Sequence, residues 1–276
     1  MASIDKVDLK KRLPAVNLPV DCRRMTFGPE ENVVFTTENC TSSMDVAWRL
    51  TAEQRFPNWA SVLAATQTAG RGQFGRSWQS PPGNLYGTLR IPRPGPIWND
   101  LLPLLLAESM RSVLHGLGLA TAVKWPNDLL AGGKKVGGIL LEAKSDLVMA
   151  GVGVNLVSAP RPQDLRHRLA PAAGCLQEFG IQPTPLEVWM AFVRESRSLI
   201  QRSVAHGDPR ELVGSLSRHL AYIGEHILLD AYDAANRPAV LLGLNAHGAI
   251  KVRTDEGERI FWSGSIYPVM QKHKGT

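Results

Sequence analysis

The most constraining feature of this 276-residue sequence is the stretch from Gly70 to Trp78, which reads GRGQFGRSW. It begins with three glycines and two arginines within seven residues. Glycine lets the backbone approach a ligand closely and adopt positive φ, so that successive N–H groups can converge on an anion. Arg71 and Arg76 add forked, permanently charged donors that suit phosphate or carboxylate. The stretch therefore predicts a loop that cradles an anion.

A second informative stretch runs from Lys124 to Glu142 and reads KWPNDLLAGGKKVGGILLE. Its lysine is followed by Pro126, which favours a turn, and then by Asn127 and Asp128. The stretch ends in a glycine-rich apolar segment that is typical of a strand. An anion-cradling loop and a positioned lysine, about fifty residues apart, indicate nucleotide-dependent acyl chemistry.

Together the two stretches resemble those of biotin–protein ligase in order and spacing, and the resemblance runs from about Val33 to the C-terminus. Two weaker matches support it: TSSMD at 41–45 before a predicted helix, and GVGVN at 151–155 after a predicted strand. The chain departs from the family pattern at Gln73, where an arginine is usual.

The resemblance implies an α+β fold: a class II synthetase-like catalytic domain with a mixed or antiparallel sheet and helices, then a small SH3-like β-barrel. The sequence itself predicts a mixed sheet with helices on one face, and a small barrel or sandwich after His226. We expect an irregular arm at 1–30, the catalytic domain at 31–222 and the β domain at 223–276. Many bacterial relatives begin with a winged helix-turn-helix repressor, which thirty residues cannot hold, so we expect no repressor role.

Hydrophobic periodicity and turn residues predict the individual elements. The predicted strands are 33–35, 61–66, 85–91, 122–125, 135–143, 147–154, 226–231, 238–243, 248–253 and 259–263. The predicted helices are 44–54, 100–117, one from about 185, and 208–221. Ser42 or Ser43 is expected to cap the first helix.

The resemblance implies a two-step reaction. Biotin's carboxylate attacks the α-phosphate of ATP to give biotinyl-5′-adenylate, and an acceptor lysine then displaces AMP. Such chemistry depends mainly on positioning and charge stabilisation, which makes Lys124, Arg71 and Arg76 the catalytic candidates. Asp128 is a candidate Mg²⁺ ligand, because Mg²⁺ takes one or two carboxylates plus phosphates; the alternative is a turn-forming residue after proline.

The resemblance also implies two sets of binding residues. Those expected to contact biotin are Ser42, Ser43, Met44, Gln67, Arg71, Gly72, Gln73, Lys124, Gly138, Ile139 and Leu140. Those expected to contact ATP or the adenylate are Gly70, Arg71, Arg76, Asn127, Asp128 and Asn155. Several have a plain structural alternative, as helix caps for Ser42 and Ser43, a loop residue for Gln67 and a turn residue for Asn155. Trp78 is expected to pack beneath the loop.

Charge and cysteine usage limit the other functional classes. The formal charge of +6 invites a nucleic-acid interpretation, but the basic residues are dispersed, with no run of four or more, so we expect no DNA partner. Cys22, Cys40 and Cys175 form neither a disulfide framework nor a zinc motif. No apolar run approaches the roughly 18 to 20 residues of a membrane span, and no secretory signal is seen, so we expect a cytoplasmic protein. The acceptor and the oligomeric state stay open.

Three alternatives to biotin ligation compete. Lipoate–protein ligase shares the catalytic fold, but its arginine-rich, triple-glycine motif is missing here, as is the cysteine–lysine arrangement of octanoyl transferases. A P-loop NTPase is excluded because no GxxxxGK[ST] occurs. A non-catalytic binder of biotinyl-adenylate is the remaining alternative, and the intact turn from Lys124 to Asp128 argues against it.

Overall fold

A computed structural model describes residues 18–27, 32–161, 163, 169–231 and 234–269. Its helices are α1 (Ser43–Ala52), α2 (Pro96–Gly116), α3 (Pro185–His206) and α4 (Pro209–Ser217). Its strands are β1 (Arg23–Phe27), β2 (Asn32–Cys40), β3 (Ser61–Gln67), β4 (Leu85–Pro92), β5 (Ala122–Lys124), β6 (Asp128–Ala131), β7 (Lys134–Lys144), β8 (Leu147–Val154), β9 (His226–Ala231), β10 (Ala234–Leu244), β11 (Ile250–Thr254), β12 (Gly257–Phe261) and β13 (Ser265–Pro268).

Most predicted elements are confirmed, and the differences have local causes. The arm expected at 1–30 lies largely outside the described residues, but Arg23–Phe27 is a strand, paired antiparallel with β2. The helix expected from Asp100 begins at Pro96, which suits the first helical turn because it needs no N–H donor there. Strands β6 and β13 were not predicted. Between β8 and α3 the chain forms a short 3₁₀ helix, Leu176–Phe179, which was not predicted.

The chain divides into two compact units whose segments alternate along the sequence. One unit comprises Met1–Arg93, Gly137–Ala159 and Cys175–Arg197, and the other comprises Pro94–Val136, Pro160–Gly174 and Ser198–Thr276. The domain boundaries expected from the sequence, near 31 and 223, stay a prediction.

The first unit is built on a mixed sheet, as predicted. Its strands lie side by side in the order β1-β2-β3-β4-β8-β7. The β2–β3 pair is parallel, whereas β1–β2, β3–β4, β4–β8 and β7–β8 are antiparallel. The glycine/arginine loop follows β3 directly, so this sheet determines where the loop begins.

Helices α1 and α3 lie on opposite faces of this sheet, so the prediction of helices on one face is wrong. The Ser43 hydroxyl of α1 contacts the Thr88 hydroxyl at 2.9 Å. The Trp189 ring of α3 lies on Gly87, where an added Cβ would be 2.5 Å from the ring. Because Gly87 and Thr88 are consecutive in β4, their side-chain positions point to opposite faces.

The second unit contains a hairpin of β5 and β6, in which Lys124 lies opposite Asp128. Helix α4 ends at Ser217, before the predicted 221, because the chain that follows hydrogen-bonds to β5: the N–H of Val123 donates to the His219 carbonyl at 2.8 Å. Strands β9 to β13 form an antiparallel sheet in the order β12-β11-β10-β9-β13. This arrangement is consistent with the SH3-like β domain expected from the resemblance.

No helix in the described part of the chain is both long and apolar enough to cross a membrane.

Candidate active site

Backbone hydrogen bonds close the glycine/arginine loop into a compact hairpin. The N–H of Gly72 donates to the Arg76 carbonyl at 2.7 Å, and the N–H of Trp78 donates to the Gly70 carbonyl at 2.8 Å. A Cβ at Gly70 would lie 2.5 Å from the Trp78 carbonyl oxygen, so only glycine fits there. The ring of Trp78, which was expected to pack beneath the loop, lies on Gly153 of β8, where an added Cβ would be 2.5 Å away.

The tip of the loop carries an exposed aromatic side chain that the sequence did not single out. Phe74 has a φ of +56° and is 66% exposed. The Arg76 guanidinium lies over its ring, 5.5 Å from the centroid. A positive φ is costly for a bulky residue and occurs in tight turns and at strained functional sites. Arg76 itself is exposed at this tip.

Arg71 is held by two carboxylates. Its Nη2 lies 2.8 Å from Asp45 Oδ1 and 3.4 Å from Glu142 Oε1. The indole of Trp48 donates to the other Glu142 oxygen at 2.9 Å, and the Thr41 hydroxyl donates to Asp45 at 3.0 Å. The hydrogen bond from Arg71 to Asp45 raises the pKa of Arg71 above its usual range. The network ties the base of the loop to α1 and β7.

The N-terminus of α1 is tied to the end of β3 and to the segment after the loop. The Ser42 hydroxyl accepts from the Met44 N–H and caps the helix, which confirms the capping prediction. The Gln67 amide oxygen accepts from the Ser43 N–H at 2.8 Å, and its nitrogen donates to the Ser80 hydroxyl at 2.9 Å. Gln67 is therefore the last residue of β3 with both amide atoms bonded, rather than a loop residue.

The glycine-rich part of β7 presents alternate positions to opposite faces of the sheet. Leu140 pairs with Gly151, and the Met44 Cε lies 3.0 Å from where a Cβ at Gly151 would be. Gly138 and Leu140 therefore face the α1 side. Ile139 faces the other side and is buried. Of these three predicted slot residues, Ile139 can offer only its backbone to a ligand on the α1 face.

The segment after β8 is organised by a second asparagine that the sequence motifs did not reveal. Asn155 is buried, and its carbonyl accepts from the Leu176 N–H at 2.9 Å. The buried Asn84 amide oxygen accepts from the N–H groups of Leu156 and Val157, both at 2.9 Å. In the sequence, the only signal for this role is that Asn84 lies just before β4, at a strand end where asparagine side chains often hydrogen-bond to the backbone.

Lys124 is buried and ion-paired within the β5–β6 hairpin. Its side chain is only 6% exposed, and its Nζ lies 2.8 Å from Asp128 Oδ2. Pro126 follows a cis peptide bond, and the N–H of Asn127 donates to the Lys124 carbonyl at 3.1 Å, which closes the turn. Residues directly opposite in an antiparallel pair point to the same face, so the register itself brings the two charges together.

Asp128 also contacts a second cation, Lys135, whose Nζ is 2.5 Å from Oδ1. Burial of Asp128 opposes its ionisation, but the Lys135 and Lys124 ammonium groups outweigh burial and lower the pKa of Asp128 from 3.8 to about 2. The carboxylate is thus ionised at neutral pH. Sequence reasoning did not identify Lys135 as its partner.

This environment fits poorly with Asp128 as a dedicated Mg²⁺ ligand. Each carboxylate oxygen already contacts an ammonium group, so a cation at this carboxylate would sit beside two positive charges. The arrangement fits Asp128 better as the group that orients Lys124.

The predicted site residues thus fall into two groups, each within one compact unit. In the first unit, the Arg71 network joins the loop to α1, and Ser42, Ser43 and Gln67 lie at the same end of that helix. In the second unit, the β5–β6 hairpin holds Lys124, Asn127 and Asp128.

Comparison with known proteins gives a consistent result. Residues 38–156 match the biotin/lipoate A/B protein ligase family. The sequence is 30% identical over 221 residues to the biotin–[acetyl-CoA-carboxylase] ligase of Paracoccus denitrificans, covering 75% of this chain and 90% of that protein. The structure is similar to that of a biotin protein ligase from Aquifex aeolicus in complex with biotin and ATP, with a TM-score of 0.73 and 26% identity over 84% of this chain and 97% of that one. It is also similar to the Leishmania major enzyme in complex with biotinyl-5-AMP, with a TM-score of 0.60 and 28% identity over 86% and 98%.

Proposed function

The chain belongs to the biotin–[acetyl-CoA-carboxylase] ligases of the biotin/lipoate A/B protein ligase family, and from this premise we propose that it activates biotin with ATP and transfers it to a lysine of a biotin carboxyl carrier protein. In the first step a biotin carboxylate oxygen bonds to the α-phosphorus while the bond to the β-phosphate oxygen breaks, releasing pyrophosphate. In the second step the acceptor amine attacks the acyl carbon, loses a proton and releases AMP.

The observation that carries the proposal is the buried ion pair between Lys124 and Asp128. Carboxylate and phosphate repel each other as they meet, and a fixed ammonium group offsets that repulsion without needing to reorganise. Lys124 sits on a short strand, is nearly excluded from water and is held by a carboxylate that remains ionised. We assign it the role of charge stabiliser in adenylate formation.

The glycine/arginine loop is assigned to the phosphate and the adenylate. The exposed guanidinium of Arg76 supplies forked donors for an anion, and Gly70 lets the backbone approach the ligand closely. The Gly72 N–H already donates to the Arg76 carbonyl, so Gly72 contributes by shaping the loop. Arg71 was expected to bind phosphate directly. Its guanidinium instead contacts the carboxylates of Asp45 and Glu142. Its proposed role is to hold the loop in a conformation that receives the ligand.

The biotin slot is assigned to the α1 face of the sheet. Met44, Gly138 and Leu140 supply apolar surface on that face, consistent with an apolar ligand ring. Ser43 and Gln67 lie at its polar end. Gln73 stays a predicted contact, and Ile139 keeps only a backbone role.

The nucleotide side is assigned to Asn127, Asp128 and Asn155, as the resemblance implies. Mg²⁺, when bound with ATP, supplies charge neutralisation on the phosphates, which are themselves its preferred ligands. In this proposal Asp128 orients Lys124. It acts on the Mg²⁺ ion only through its negative charge and does not coordinate it.

The proposed acceptor is the carrier domain of a biotin-dependent carboxylase such as acetyl-CoA carboxylase. We further propose a cytoplasmic location, with which the three free thiols in the described chain are consistent.

Mass spectrometry of a biotin carboxyl carrier domain, incubated with the protein, ATP, Mg²⁺ and biotin, tests this function. We expect a gain of one biotinyl mass that requires ATP and is lost when the acceptor lysine is replaced by arginine. A parallel reaction with lipoate and a lipoyl domain separates the lipoate-ligase alternative. Tight binding of biotinyl-adenylate without any transfer would instead identify a non-catalytic binding protein.

A further inference from the structure

The ammonium group of Lys124 has an aromatic neighbour as well as a carboxylate. Its Nζ lies 5.8 Å from the ring centroid of Tyr267 on β13. Lys124 is 5% exposed and Tyr267 is 2% exposed, so water screens this contact little. A cation within about 6 Å of an aromatic face is attracted by the ring quadrupole, and more strongly when both groups are desolvated.

Tyr267 is held by its strand. It pairs with Leu228 of β9, and the adjacent Ile266 is fully buried on the opposite face of β13. The ring therefore has little freedom to move with the lysine, and it provides a fixed surface for a flexible four-carbon side chain.

The backbone on either side of Lys124 is held by the same C-terminal part of the chain. The Ala221 N–H donates to the Val123 carbonyl at 2.9 Å. The indole of Trp125 donates to the Gly248 carbonyl at 3.0 Å. A Cβ at Gly248 would lie 2.9 Å from Leu104 of α2, so this turn is closely fitted against the helix. Residues before, at and after Lys124 thus each contact a residue that follows α4.

Asp128 and Tyr267 affect the Lys124 ammonium group in different ways. This matters because the ammonium group must keep enough positive charge to attract the reacting carboxylate and phosphate. Asp128 fixes the ammonium group but also neutralises part of its charge. An aromatic face restricts the position of the ammonium group while bringing no net negative charge, so the lysine keeps its attraction for a reacting carboxylate and phosphate.

We propose that Tyr267 is a positioning residue for adenylate formation, holding the Lys124 ammonium group in place from the C-terminal sheet. The inference rests on the proposed function and adds to it a residue outside both sequence motifs. The ring does not touch the reacting atoms and acts through the lysine.

The test is ATP–pyrophosphate exchange with biotin, measured on the full chain for Tyr267→Leu, Tyr267→Phe and Ile266→Ala. We expect Tyr267→Leu to lower kcat by roughly 3- to 30-fold with little change in KM. Tyr267→Phe keeps the ring and should stay within about twofold of the wild type. Ile266→Ala, which loses comparable packing on the other face of the strand, controls for lost stability and should not reproduce the kcat effect.

A double-mutant cycle makes the test specific. In a Lys124→Ala background, Tyr267→Leu should have little further effect on exchange, because the group that it positions is gone. An equal loss in both backgrounds, an unchanged kcat in Tyr267→Leu, or a Phe variant as impaired as the Leu variant would overturn the inference. Absence of exchange in the wild type is a different result, since it would overturn the proposed function and this inference with it.

Discussion

Replacing Asp128 by asparagine removes a negative charge from between two lysines while nearly preserving side-chain size. The carboxylate lies 2.8 Å from Lys124 and 2.5 Å from Lys135, and its side chain is 13% exposed. Lys124 would keep its burial and lose its counter-charge. Two measurable consequences follow, one for folding and one for catalysis.

The stability consequence can be worked from the pKa. The fall in the pKa of Asp128 from 3.8 to about 2 corresponds to about 2 kcal/mol of native-state stabilisation at neutral pH. Because the folded-state pKa is lower than the unfolded one, this contribution is fully present above about pH 4 and is lost as the pH falls towards 2. The substitution also leaves the Lys124 ammonium group buried without its counter-charge, which destabilises the fold further. We therefore expect Asp128→Asn to lower the free energy of unfolding by roughly 2–4 kcal/mol at pH 7.

Denaturant unfolding of the wild type and the variant between pH 7 and pH 2.5 measures this difference. The gap between the two should narrow as the pH falls below 4. Asp100→Asn is the matched control, because that carboxylate is half-exposed and lies 3.6 Å from His247; it should change stability by less than about 0.5 kcal/mol. A gap that is absent, or that stays constant with pH, would refute the ion-pair reasoning.

The catalytic consequence separates two roles for the same carboxylate. If Asp128 orients Lys124, the variant should show a lower kcat for adenylate formation at every Mg²⁺ concentration. If Asp128 is instead a Mg²⁺ ligand, raising the Mg²⁺ concentration should restore the rate. Recovery to the wild-type rate in excess Mg²⁺ would refute the positioning role.

Four further predictions concern the lysine and the loop. Lys124→Ala should keep the fold and lower the rate of pyrophosphate release by about 10²- to 10³-fold; wild-type rates would show that it is only a structural lysine. Gly70→Ala should destabilise the loop by roughly 1–3 kcal/mol, because the new Cβ would lie 2.5 Å from the Trp78 carbonyl oxygen. The variant should therefore release biotinyl-adenylate faster than the wild type. An unchanged release rate would contradict this prediction. Arg71→Lys, with one compact ammonium group in place of a fork, should increase proteolysis within the loop, and a cleavage rate equal to the wild type would argue against the two-carboxylate anchor. Gln73→Arg should slow the release of biotinyl-adenylate about 3- to 30-fold and reduce stray labelling of bystander lysines, whereas equal release would show that another cation already holds the adenylate.

Local signals in the sequence sufficed for the elements that carry the motifs. Ser42 caps α1 as predicted because the signal for a cap lies within three residues of it. The turn after Lys124 was predicted from Pro126 and its neighbours. The ion pair with Asp128 follows from that turn, because a hairpin closed by three residues places the two side chains opposite each other.

The Arg71 network could not be predicted in the same way. Asp45 and Glu142 are 26 and 71 residues away from Arg71 in the sequence. They meet it only because α1 and β7 are brought to the loop by the order of strands in the sheet. In the sequence, Asp45 was recognised only as part of the TSSMD match before a predicted helix, which is a local signal.

The sequence pattern also could not predict which face of the sheet each helix packs against. Amphipathic spacing shows that α3 has an apolar side, but not which side of the sheet receives it. The answer depends on Gly87, whose missing side chain makes room for Trp189. A glycine inside a predicted strand indicates a close approach by something, without revealing what approaches.

The two tryptophans seated on strand glycines restrict how this sequence can diverge. Trp189 lies on Gly87 and Trp78 lies on Gly153, and in each pair an added methyl group would overlap the indole. Enlarging the glycine first forces the indole out, and shrinking the tryptophan first leaves a void. A protein with only one of the two changes is therefore expected to be less stable than one with neither change or with both. We expect the two residues of each pair to be inherited or replaced together among descendants of this chain.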